Sequence, residues 1–72
     1  MGRLAGFSYR QVLTRLRQLG FVDSRPAKGC HEVWRHRDGR YAVLTRHPGD
    51  IPEGTLRAIL RQADIDPDDF LA

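Results

Sequence analysis

The stretch CHEVWRHRDGRYAVLTRH, residues 30–47, decides how this chain folds. Two runs of strand-forming residues, 30 to 36 and 41 to 47, flank Asp38-Gly39, the strongest short hairpin signal. With Asp38 and Gly39 as the two loop residues, Arg37 opposes Arg40, Trp34 opposes Val43, His31 opposes Arg46 and Cys30 opposes His47. Upstream, Phe21 to Arg25 suits a third short strand, ended by Pro26.

Helices lie on either side of these strands. Ser8 and Gln11 have capping-box spacing and Phe7 sits where a hydrophobic staple onto Val12 begins, which predicts a helix from about Tyr9. Val12, Leu13, Leu16 and Leu19 recur at helical spacing until Gly20 stops the run, and Arg10, Thr14 and Arg17 lie on the opposite face. After the loop His47-Pro48-Gly49-Asp50, the residues Leu56, Ile59, Leu60 and Ala63 mark a second helix with Arg57 and Arg61 on its flank. Asp66-Pro67 caps a last helical turn over Asp68 to Leu71. The expected fold is α+β in the order α-β-β-β-α, a three-stranded antiparallel sheet with two helices on one face and a short C-terminal helix. This is the plan of double-stranded-RNA-binding domains.

Seventy-two residues make one domain, 1–72, with a small core. A single cysteine forms no internal disulfide, and neither a signal peptide nor a membrane span is evident, so the reading is a soluble, cytoplasmic protein without a membrane partner. Lysine and arginine total 12 against 9 acids, and all but Lys28 are arginine. Five of the acids fall between Glu53 and Asp69, leaving residues 1 to 47 strongly basic. That asymmetry favours a polyanionic partner, nucleic acid or an acidic protein; thermal adaptation or codon bias would also enrich arginine.

Gly29-Cys30-His31 carries the best chemical clue. Glycine permits close backbone approach, and histidine exchanges protons near neutral pH. His31 is a candidate acid or base for phosphodiester cleavage, or simply a polar residue at a strand end. Arg46 across the hairpin is placed to hold a phosphate, which guanidinium binds in a bidentate manner. His47 is close in this register and His36 is not, since five residues of strand span about 16 Å. Cys30 and His31 point to opposite faces, which disfavours a nucleophile–base pair, and no metal-ligand spacing is present. Lys28, Arg25, Arg35, Arg37 and Arg40 form a basic edge, either an RNA-backbone contact or a solvated surface. Trp34 and Tyr41 either stack on bases or, for Trp34, fill the core.

Phe7-Ser8-Tyr9, Leu19-Gly20-Phe21, Arg25 with Lys28-Gly29-Cys30-His31, Thr45-Arg46-His47-Pro48-Gly49 and Gly54-Thr55-Leu56-Arg57-Ala58-Ile59-Leu60-Arg61-Gln62-Ala63 followed by Phe70 together resemble the HicA toxins. The resemblance spans almost the whole chain. It implies a toxin of a toxin–antitoxin pair that cuts messenger RNA without a metal or other cofactor, His31 as the catalytic histidine, and a HicB-like antitoxin that covers the site. The RNA-binding set read from the residues themselves is Lys28, Gly29, Cys30, Arg25, Arg46, Arg35 and His47. Cys30 stands where serine is usual, Asp50 where lysine is frequent and Asp64 where glycine is common. A thiol is the weaker hydrogen-bond donor, so the first of these bears on rate. A non-catalytic RNA-binding module of the same fold is the alternative, and a DNA-binding helix pair over residues 53 to 71 is disfavoured by its acids.

Overall fold

The computed structural model describes residues 3–26 and 31–72, with backbone only at positions 25 and 26. Its elements are α1 (Tyr9–Gln18), β1 (Phe21–Pro26), β2 (His31–His36), β3 (Tyr41–Thr45), α2 (Glu53–Gln62) and α3 (Pro67–Leu71). The order matches the α+β expectation. No helix among the described residues is long and apolar enough to cross a membrane.

Both bonds of the predicted capping box open α1: Ser8 Oγ accepts from the Gln11 N–H at 3.1 Å, and Gln11 Oε1 accepts from the Ser8 N–H at 2.8 Å. Leu19 caps the other end and Gly20 follows at φ +97°, a left-handed conformation that glycine adopts without a Cβ clash. α2 ends differently. Asp64 takes the left-handed position at φ 55°, the sole non-glycine with positive φ among the described residues. The Ile65 N–H reaches Leu60 O at 2.9 Å and the Asp64 N–H reaches Arg61 O at 3.2 Å, the two bonds of a Schellman motif. The position of Asp64 is therefore one that prefers glycine.

The antiparallel sheet has the order β1-β2-β3. Its inner face contributes Phe21, Trp34, Ala42 and Leu44 to a core completed by Val12 and Leu16 of α1, Leu56, Ile59 and Leu60 of α2, and Phe70 of α3. The outer face keeps Val22, Tyr41 and Val43 exposed. Trp34, 1% exposed, is thus a core residue and does not stack on bases. At the free edge of β3 the Val43 N–H donates to Gln62 Oε1 at 3.2 Å, which removes one bonding group from an otherwise open strand edge.

The hairpin register is one residue from the sequence expectation. His31 pairs with Thr45 instead of Arg46, Trp34 with Ala42 instead of Val43, and Arg35 with Tyr41. The loop has three residues, Arg37 to Gly39, closed by His36 N–H to Arg40 O at 2.8 Å, so Arg37 does not oppose Arg40. A two-residue type I′ turn needs positive φ at both central residues, whereas here only Gly39 has it, at +101°. Asp38 instead spends its carboxylate on the Arg40 N–H at 3.0 Å and Nε at 2.8 Å, holding the wider turn. The slip puts small Ala42, not Val43, beneath the core beside Trp34. β3 also ends at Thr45, two residues early, and leaves Arg46 and His47 in the following loop. The predicted partner of His47, Cys30, lies outside the described residues.

Candidate functional site

His31 opens β2 at an exposed corner of the sheet, and the corrected register brings Thr45 directly across from it. Thr45 Oγ1 lies 3.1 Å from His31 Nδ1. Two proton arrangements satisfy this bond. When Nδ1–H of the neutral ring donates to the hydroxyl, Nε2 holds the lone pair and is a base; in the imidazolium Nδ1–H makes the same bond and Nε2–H is an acid. In both, Nε2 is the nitrogen left to meet a substrate. Sequence reasoning passed over Thr45, because only the register shows which side chain faces His31.

Arg46 does not face His31. Its Nη2 pairs with Glu32 Oε2 at 3.1 Å, although the Arg46 side chain is still 69% exposed against 12% for Glu32. The other carboxylate oxygen, Oε1, accepts from Trp34 Nε1 at 3.1 Å. Burial raises the pKa of Glu32, but hydrogen bonds from Trp34, Arg46 and Tyr9 outweigh it and hold the carboxyl below its ordinary range. The Tyr9 hydroxyl is buried without a hydrogen bond of full geometry, yet it sits close enough to the Glu32 carboxylate to be held protonated. Burial first and Glu32 second push its pKa to about 12. Tyr9, Glu32, Trp34 and Arg46 therefore form a polar floor under the strand end that carries His31. Glu32 and Tyr9 were also missed, since an acid in a basic stretch and a tyrosine at a helix start carry no signal of meeting.

Arg35 lies on the outer face four residues from His31, about 13 Å along the strand, and its Nε donates to Ser24 Oγ at 3.3 Å. It cannot share a phosphate with His31 directly. His47 is exposed and lines a groove of about 250 Å³ with Val43, Thr45, Ile51, Pro52, Thr55 and Ile59. His36 is at the far end of β2, packed edge-on against Phe21 with ring centroids 5.1 Å apart and bonded at Nδ1 by the Asp38 N–H, 3.1 Å. It serves the hairpin.

Two arginines of the expected basic edge, Arg35 and Arg40, are engaged within the molecule, and so is Arg17 of α1. Arg40 binds Asp38 and the Asp64 carbonyl, the latter at 3.0 Å, and its guanidinium lies 5.3 Å from the centre of the Phe21 ring. Arg17 covers Trp34 at 5.1 Å. Lys28, Gly29 and Cys30, like the side chain of Arg25, lie outside the described residues, so the structure positions only the His31 end of the expected motif.

One family model matches the chain: HicA toxin of bacterial toxin–antitoxin systems, over residues 9–65. That span runs from the first residue of α1 to just beyond α2 and includes His31, Thr45 and Arg46. No individually curated protein matches with significance.

Proposed function

The chain belongs to the HicA toxin family of bacterial toxin–antitoxin systems, and from that premise we propose that it binds and cleaves messenger RNA without a metal, with His31 as general acid or base. The observation that carries the reading is the Thr45–His31 bond, which orients an exposed imidazole and leaves Nε2 open at the sheet corner. RNA supplies its own nucleophile. As a base, His31 takes the proton of a 2′-hydroxyl while O2′ bonds to phosphorus and the P–O5′ bond breaks; as an acid, it delivers a proton to the departing O5′. Either role typically contributes about a hundred- to ten-thousand-fold.

The phosphate at His31 falls to Lys28, Gly29 and Cys30 before it, and Arg46, which Glu32 holds, takes a neighbouring phosphate. Arg25, Arg35 and His47 extend the contact along the backbone. A HicB-like antitoxin is the protein partner, and it silences the toxin by covering this corner.

Induction of the wild-type chain and of His31→Ala in parallel bacterial cultures, with total RNA examined, tests the proposal. Growth arrest with RNA breakdown is expected only from the wild type. Soluble, folded wild-type protein that leaves RNA intact would overturn it and make the chain an RNA-binding module.

A further inference from the structure

We propose that the groove between the β3 edge and α2 is the seat of a single unpaired nucleobase, the one attached next to the phosphodiester that His31 serves. The inference rests on the reading of His31 given above and extends it from chemistry to base recognition. Thr45 joins the two places, because its hydroxyl bonds His31 Nδ1 while the same residue forms part of the groove wall. A strand presenting its backbone to His31 therefore has a base within reach of the groove.

The lining selects the occupant. Val43, Ile51, Pro52 and Ile59 supply apolar walls, Thr45, Thr55 and His47 supply hydroxyls and an imidazole, and among the described residues no lysine, arginine, aspartate or glutamate takes part. Among those residues a phosphate finds no lysine or arginine, and a cation no carboxylate. A flat, neutral heteroaromatic ring with apolar faces and a hydrogen-bonding edge matches both kinds of wall, which is how unpaired RNA bases are usually held. An added peptide strand fits less well, because Gln62 already occupies the Val43 N–H that such a strand would use.

The test separates binding from cleavage. Fluorescently labelled, unstructured RNA dodecamers, each abasic at one position, are titrated into the His31→Ala chain and followed by anisotropy. One position is expected at which loss of the base weakens binding about tenfold. Thr55 is exposed on α2 at the groove, so Thr55→Trp fills the groove from the solvent side; added to His31→Ala, it should weaken binding of the intact RNA about tenfold and abolish the difference at that position. Thr55→Phe, a smaller intrusion, should do the same if the tryptophan variant fails to fold. A flat abasic scan, as expected if an antitoxin side chain fills the groove instead, overturns the proposal; so does a positional effect that survives both substitutions. A base-dependent scan beside a wild type that cleaves nothing retires the catalytic role of His31 and leaves the groove assignment standing.

Discussion

Replacing Glu32 by alanine should cost about 1.5–2.5 kcal/mol, and the loss should come from the indole and not from the ion pair. Trp34 is 1% exposed and its Nε1–H has Glu32 Oε1 as its acceptor at 3.1 Å. A buried donor left without a partner costs roughly 1–3 kcal/mol, and water entering the space vacated by Glu32 keeps the figure from the top of that range. Arg46 is 69% exposed, so its half of the pairing is screened, and Arg46→Ala should cost clearly less than Glu32→Ala. Glu32→Gln retains an acceptor for the indole and should fall between the two. Against a total stability of roughly 4–11 kcal/mol for a chain of this length, the alanine variant is measurably weakened but folded. Urea unfolding followed through the fluorescence of Trp34, the single tryptophan, measures all three. An Arg46→Ala loss equal to that of Glu32→Ala, or a Glu32→Ala loss below about 0.5 kcal/mol, would refute the reasoning. The acid limb offers a second check. Because Glu32 is held below its ordinary pKa in the folded state, its contribution is complete above the unfolded value, about 4.3, and is lost as pH falls through the lower folded value. Glu32→Gln should flatten that part of the stability profile.

Asp64→Gly should stabilise the chain by about 0.5–1 kcal/mol, since it relieves the left-handed strain at φ 55° and keeps the carbonyl that Arg40 binds; thermal unfolding should shift up by about 2–8 °C. Gly20→Ala should act in the other direction, by about 2 kcal/mol, because φ is +97° there and a Cβ would come 2.9 Å from His36 Nε2; the double variant with His36→Ala should cost less than the two losses added separately. Thr45→Val keeps the groove wall but removes the hydroxyl beside His31 Nδ1, so kcat for RNA cleavage should fall about five- to tenfold with urea stability little changed. An unchanged kcat would show that the hydroxyl does not orient the imidazole.

The start and stop of α1, the cap of α3, the apolar stripes of α1 and α2, the order of elements and the candidacy of His31 were legible in the sequence alone. Each depends on residues within one or two turns of each other: Ser8 with Gln11, Val12 with Leu16, Leu56 with Leu60, Asp66 with Pro67. Tertiary structure decided how the strands align. Asp38 had a choice between a two-residue turn requiring positive φ and a three-residue turn in which its carboxylate binds Arg40, and the packing of Ala42 beside Trp34 under the helices agrees with the second. That one-residue difference took Arg46 away from His31, gave His31 to Thr45, and delivered Arg46 to Glu32. Pairings that span the hairpin or join it to α1 depend on the summed burial of the whole inner face, which no local pattern of residues carries.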